Sequence, residues 1–163
     1  MQLFTIGLWE LNLDGSLKLG ASNKPISTYD QATVQQLSLA LTGWVYANNA
    51  YLDFSATMVA QESRHATVAK SILGWSFAAG QTVEQDLERV LDCLMSHPNT
   101  APFIATRLIR SLVTSNPSPG YIQRVATVFA NNGQNVAGDL KAVVAAILLD
   151  VQNRRRIREL RES

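Results

Sequence analysis

The sequence has few residues that bind metals or form covalent intermediates: one cysteine, Cys93, and two histidines, His65 and His97. A single cysteine cannot form a disulfide within the chain. The three residues are far apart and lack the His-x-x-x-His or Cys-x-x-Cys spacing typical of zinc sites. We therefore expect no metal. Because Cys93 lies in an apolar stripe, a buried and unreactive thiol is favoured over a reactive one.

The chain also has little net charge. It has 163 residues, of which 17% are charged, and a formal net charge of +1. Neutralising the phosphates of a nucleic acid needs a concentrated excess of Lys and Arg, so this balance argues against a nucleic-acid partner. No apolar run approaches the roughly 20 residues that span a bilayer, so we expect no transmembrane segment. The first residues also lack the basic and apolar parts of a signal peptide.

One local exception is a tail at residues 150–163, which is rich in arginine. The favoured interpretations are a solvated helix end paired with Glu159 and Glu162, or the severed stub of a longer chain. A weak contact with an anionic surface or a nucleic acid is an alternative, and it predicts an affinity that falls steeply with salt. The arginines are Arg154, Arg155, Arg156, Arg158 and Arg161.

Several enzyme signatures are absent. The sequence contains no Gly-x-Ser-x-Gly elbow, no phosphate-binding glycine loop and no dinucleotide fingerprint. Enzyme classes that depend on these motifs are therefore disfavoured, and we expect no cofactor.

The first half of the chain predicts small and varied elements. Leucines alternate with polar residues around Asp14-Gly15, which predicts a β-hairpin at residues 9–20. Thr28 with Gln31 forms a capping-box pattern and predicts a helix over residues 28–43. Residues 44–81 have weak periodicity and predict a long irregular loop, with short extended pieces near 52–58 and 72–77.

The second half predicts helices joined by short loops. Thr82 with Gln85 is a second capping box, and Ser118 and Asp139 are suited to cap later helices. Apolar residues recur every three or four positions over residues 82–149. The predicted fold is one mainly α domain over residues 1–163. It is a bundle of about five helices, with a small N-terminal β-hairpin and a long irregular loop.

The residues best suited to chemistry lie in the run from Gln61 to Gly74. An imidazole acts as a base or a ligand when a carboxylate or carbonyl orients it, and Glu62 or the more distant Asp53 can do so for His65 only if the fold brings one of them close. A structural role for His65, with Lys70 neutralising Glu62 or bonding carbonyls of the turn, is the favoured interpretation. The alternative is a cationic ligand-binding site formed by Arg64, His65 and Lys70, which suits a phosphate, sulfate or carboxylate. The sequence identifies no catalytic residue.

Several blocks stand in a fixed order along the chain. They are Leu3–Gly7, Leu41–Trp44, His65 with Lys70 and Leu73-Gly74, His97-Pro98 before Phe103–Ala105 and Leu108, and Gly138–Val143 with Leu148-Leu149. In their order and spacing these blocks resemble the bacterial domain of unknown function 1800 family.

This resemblance has implications beyond composition. Family members are longer, and the chain corresponds to their C-terminal third, so we expect a fragment whose first residues are the remnant of a helix. Relatives are exported to the periplasm or the exterior and are often encoded beside another exported protein, which is the partner that the resemblance implies. In the family an acidic residue directly follows the position of His65, whereas this chain has Ala66. The activity of the family is not established.

Together these observations predict a scaffold or interaction domain of an exported protein. The alternative is a hydrolase-like or anionic-ligand-binding site around Arg64, His65 and Lys70. The sequence leaves open whether the protein is an enzyme.

Overall fold

The computed structural model describes residues 5–47 and 54–152. Within them, residues up to Thr28 and from Met95 onward form one compact unit, and Tyr29–Leu94 form the other. The described residues contain five α-helices, so the predicted mainly α class is confirmed. The helices are α1 Gln31–Ala40, α2 Val83–Ser96, α3 Thr100–Leu112, α4 Pro119–Ala130 and α5 Leu140–Leu149.

The strands form two small antiparallel sheets within the described residues. One sheet pairs β1 (Trp44–Val45) with β2 (Val59–Ala60), and the other pairs β3 (Lys70–Ile72) with β4 (Trp75–Phe77). Along the chain, a short 3₁₀ helix at Glu62–Arg64 stands between β2 and β3.

The first unit is built on α3, α4 and α5. Helices α4 and α5 begin as the sequence predicts: the Ser118 side chain accepts a hydrogen bond from the Tyr121 amide, and Asp139 accepts one from the Ala142 amide. The Tyr121 hydroxyl donates to the Ile147 carbonyl at 2.7 Å, which satisfies the polar end of a buried ring. The apolar faces of the three helices share one core. Its buried members are Ala101, Ala105, Ile109, Tyr121, Ile122, Val125, Ala126, Phe129, Val143 and Ile147.

The N-terminal segment of this unit reverses direction at Asp14-Gly15, as predicted. The pairing consists of isolated bridges, Leu11 with Leu17 among them, and no continuous strand forms at residues 9–20. A reason lies in Asn99, whose side chain bonds the Leu11 amide at 2.6 Å and the carbonyls of Ile6 and Trp9 at 2.6 and 2.8 Å. These backbone groups are therefore satisfied by a helix-flanking side chain. The predicted helix remnant falls on residues 1–4, and the arginines of the tail follow residue 152; both lie outside the described residues.

In the second unit, α1 begins later than predicted. The cap is Asp30, whose Oδ1 accepts hydrogen bonds from the Thr33 amide at 2.8 Å and the Thr33 hydroxyl at 2.7 Å. The prediction of a Thr28 cap is wrong because the carboxylate two residues later satisfies the first turn. The helix ends at Ala40 rather than at residue 43, and Gly43 has a positive φ of 91° in the turn that follows.

The region predicted as an irregular loop holds both sheets, so this part of the prediction is corrected. β3 and β4 are joined by the two-residue turn Leu73-Gly74, with φ values of 49° and 81°. Positive φ at both positions is typical of the type I′ hairpin turn. The extended piece expected at 72–77 is present as a strand pair, whereas residues 54–58 form no strand. The second core contains Ala40, Ile72, Phe77, Val90 and Cys93.

Candidate functional site

The second unit contains a buried cluster of three ionisable side chains. His65 Nε2 lies 3.1 Å from Asp86 Oδ2, and Lys70 Nζ donates to the same oxygen at 2.5 Å. All three side chains are 0% exposed. Among the described residues Asp86 Oδ1 has no hydrogen-bond partner, so a single carboxylate oxygen holds both contacts.

Each member of the cluster comes from a different element. His65 directly follows the 3₁₀ helix, Lys70 is the first residue of β3, and Asp86 lies in the first turn of α2. Alternation along β3 turns Lys70 and Ile72 inward and Ser71 outward. The start of a helix also favours a carboxylate through the helix dipole. The cluster therefore joins the β3–β4 hairpin and the loop before it to α2.

The ring of His65 is held on both sides. Its Nδ1 lies 2.9 Å from the backbone carbonyl oxygen of Thr42, and its Nε2 faces Asp86. Since a carbonyl oxygen only accepts hydrogen bonds, Nδ1 carries a proton and donates it there. The ring thus links the turn after α1 to the first turn of α2.

Thr42 completes an arrangement that resembles the hydroxyl, imidazole and carboxylate of nucleophilic catalysis. Its Oγ1 lies 3.3 Å from His65 Nδ1. However, this hydroxyl donates to the Leu39 carbonyl at 2.7 Å and accepts from the Ala66 amide at 2.9 Å. A hydroxyl has one proton, and here it is already donated to a carbonyl. Thr42 therefore acts as a support for the turn in this geometry, and its hydroxyl is not poised for attack.

Close packing around Gly43 keeps the turn against the cluster. A Cβ at this position would lie 2.7 Å from Val83 Cγ2 and 3.2 Å from His65 Cβ.

The side chain of Glu62, which the sequence suggested as a partner of Lys70, instead accepts a hydrogen bond from the Val83 amide at 3.2 Å. That suggestion was wrong: Lys70 pairs with Asp86, and Glu62 caps the start of α2.

The structure brings together two of the three predicted ligand-binding residues. His65 and Lys70 share Asp86, whereas Arg64 is exposed on the 3₁₀ helix. Sequence reasoning missed Asp86, although the sequence carries a signal for it. Asp86 stands three residues after Val83 and four before Val90, so it occupies the apolar face of α2, where an unpaired carboxylate would be very costly.

An open groove of about 590 Å³ lies beside the cluster, between the start of α1 and β3. From the helix side it is lined by Asp30, Ala32, Thr33 and Gln36. From the hairpin side it is lined by Ala69, Lys70, Ser71, Leu73 and Gly74.

His97, in the first unit, is half-buried, and its Nδ1 accepts a hydrogen bond from the Asn99 amide at 3.2 Å. Burial lowers the pKa of His97, Glu10 partly opposes this effect, and Lys18 adds to it. This local bond agrees with a role at the helix end rather than in a site.

Over residues 5–47 and 54–152, no group of three potential metal ligands comes together. No helix among the described residues has the length and apolarity needed to cross a membrane.

Comparison with known proteins identifies the family. The model of the family described as "Protein of unknown function (DUF1800)" matches residues 1–162, so the chain belongs to this family. No curated protein and no solved structure matches the chain.

Proposed function

We propose that the chain acts as a scaffold or interaction domain and that its second unit presents the groove between α1 and β3 to a partner. The observation that carries this proposal is the complete burial of the His65, Lys70 and Asp86 side chains. A catalytic group must reach its substrate. These groups bond each other and the backbone, which is the arrangement of a structural cluster.

A buried ion pair fixes one arrangement of the elements that carry it. Desolvation offsets most of its Coulomb attraction, but removing one partner leaves a buried charge without compensation, at a cost of about 3–5 kcal/mol. The cluster therefore favours the one position of β3 against α2 that keeps Lys70 on Asp86. Holding β3 in place also holds one wall of the groove.

The alternative is a hydrolase-like or anionic-ligand-binding site around Arg64, His65 and Lys70. It needs a conformation in which His65 and Lys70 leave Asp86 and reach solvent. A His65→Ala variant separates the two functions. A lowered melting temperature with no change in binding of phosphate, sulfate or acetate supports the structural role, whereas unchanged stability with lost anion binding supports the site.

Site-specific photo-cross-linking tests the interaction role directly. A benzophenone amino acid placed at Thr33, on the groove wall, should give discrete adducts with another protein in cells. The same group at Arg110, an exposed residue of α3, is the matched control. Equal labelling from both positions, or none from Thr33, would contradict the proposal.

We also propose that the protein works in an exported context, in the periplasm or outside the cell, beside a co-encoded exported partner. The support is the resemblance of the chain to relatives of that kind. Fractionation of cells that express the protein from its native gene tests this point. Recovery in the cytoplasmic fraction alone would refute it.

A further inference from the structure

The outer edge of β3 is the most unusual feature of the groove. The Ser71 amide takes no part in the pairing of β3 with β4 and instead donates to Gln36 Oε1 at 3.3 Å. Across the hairpin, the carbonyl of Ser76, which stands opposite Ser71, is bonded by Arg89 Nε at 2.9 Å. Each outer edge of this two-stranded sheet is therefore bonded by a helix side chain.

Gln36 occupies the position that a strand carbonyl would take. Its amide oxygen receives the outward N–H of β3 from the α1 side of the groove, and the contact is exposed and near the upper limit for a hydrogen bond. A flexible side chain at such a distance is readily displaced by a better acceptor. An extended peptide supplies backbone carbonyls at the spacing that an edge strand needs.

The charge of the groove selects among peptides. Among the described residues that line the groove, Asp30 is the only acid, and it is exposed. Hydrogen bonds from the Thr33 amide and hydroxyl lower the pKa of Asp30, so its carboxylate is ionised at neutral pH. Lys70 is the only base in the described part of the lining, and its ammonium is bonded to buried Asp86. The accessible charge of the lining is therefore negative and complementary to a basic side chain.

We infer that the groove binds an extended, lysine- or arginine-containing peptide that adds as a third strand to the outer edge of β3, displaces Gln36 from Ser71 and places its basic side chain near Asp30. This inference rests on the proposed interaction role and specifies its partner. The side chains of Ala32 and Ala69 in the lining are small, and they leave room for alternate side chains of the peptide.

The probe is a pool of fluorescein-labelled heptapeptides in which threonine and valine alternate and one lysine occupies each position in turn. A matched pool carries glutamate in place of lysine. Fluorescence polarisation with the full chain should show binding of the lysine pool and at least tenfold weaker binding of the glutamate pool. In amide NMR, the Ser71 resonance should shift on binding.

Variants at the strand edge provide the sharpest test. Gln36→Ala removes the competing acceptor and should tighten binding about threefold to tenfold, a gain that partial unfolding cannot produce. Ser71→Pro removes the outward N–H and should weaken binding at least tenfold, whereas Ser71→Ala, which keeps the N–H, should change it less than twofold. Proline is tolerated at such an edge position, and circular dichroism checks the fold. Weaker binding by Gln36→Ala, or full binding by a folded Ser71→Pro variant, would overturn strand addition.

Asp30→Asn tests the charge. Asparagine is an equally good helix cap, so α1 should remain intact while the preference for lysine over glutamate falls to less than threefold. A preference that is unchanged overturns the role given to Asp30. If the label at Thr33 still captures a protein while the peptides fail to bind, the interaction role stands and the strand-addition inference is wrong. If neither gives a signal, both fail.

Discussion

Replacing Asp86 with asparagine tests the central physical argument, that the buried cluster holds the second unit together. The substitution keeps size and shape but removes the charge that compensates Lys70. Lys70 Nζ and His65 Nε2 both contact Oδ2, and an uncharged amide oxygen in that place can still accept a hydrogen bond from Lys70. The loss of stability therefore measures what the buried negative charge contributes to a cluster that also contains Lys70 and His65.

The expected cost is about 3–5 kcal/mol in the free energy of unfolding, the range for removing one partner of a buried ion pair. For a chain of this size, each kcal/mol lowers the melting temperature by roughly 2–4 °C, so the total decrease is about 6–20 °C. Asp92→Asn is the matched control, since Asp92 is an exposed acid on the same helix. Its effect should stay within about 0.5 kcal/mol.

Urea unfolding followed by circular dichroism measures these values. A second substitution sharpens the test. Adding Lys70→Met to Asp86→Asn removes the positive charge of the lysine and puts an apolar side chain of similar length in its place. The double variant should regain about 2–3 kcal/mol relative to Asp86→Asn alone, because coupled residues are not additive. If Asp86→Asn changed stability no more than Asp92→Asn did, the cluster would not be a structural element and the reasoning would be refuted.

Three further predictions concern other positions. Gly43→Ala should lower the free energy of unfolding by about 2–4 kcal/mol, because the new Cβ would clash with Val83 and the residue would be held at a positive φ. Gly133→Ala, at a similar φ but with nothing within 4 Å, should cost only about 1–2 kcal/mol, and equal losses in urea unfolding would contradict the packing argument. Asn99→Ala removes three hydrogen bonds and should cost about 2–4 kcal/mol, with faster hydrogen exchange in residues 5–28. The lowered pKa of His97 means that the unfolded chain binds its proton first. Stability should therefore be constant above about pH 6.5 and fall below it, and His97→Gln should remove that slope in unfolding measured from pH 8 to pH 5.

Elements whose signals are local were predicted well. The reciprocal bonds between Thr82 and Gln85, at 3.0 and 3.2 Å, were predictable because both partners lie within one turn. The start of α1 was predicted wrongly because Thr28 and Asp30 are both good caps, and local pattern alone does not rank them.

The site shows where local reasoning ends. The sequence singled out His65 and Lys70 as unusual, but the acids that it offered as partners were Glu62 and, for His65, Asp53, and Asp86 was not among them. Asp86 lies 21 residues from His65 and 16 from Lys70, and both separations are longer than one helical turn or one short strand. Only the packing of β3 against α2 decides that these three groups meet.

By itself, the sequence determined the family, the mainly α class and the caps of α2, α4 and α5, because each depends on residues close together in the chain or on the order of blocks along it. The tertiary structure alone decided the β3–β4 hairpin, the partner shared by His65 and Lys70, and the groove with its strand edge. These features depend on which distant elements exclude water from one another, and a buried charge is stable only where that packing supplies its counter-charge.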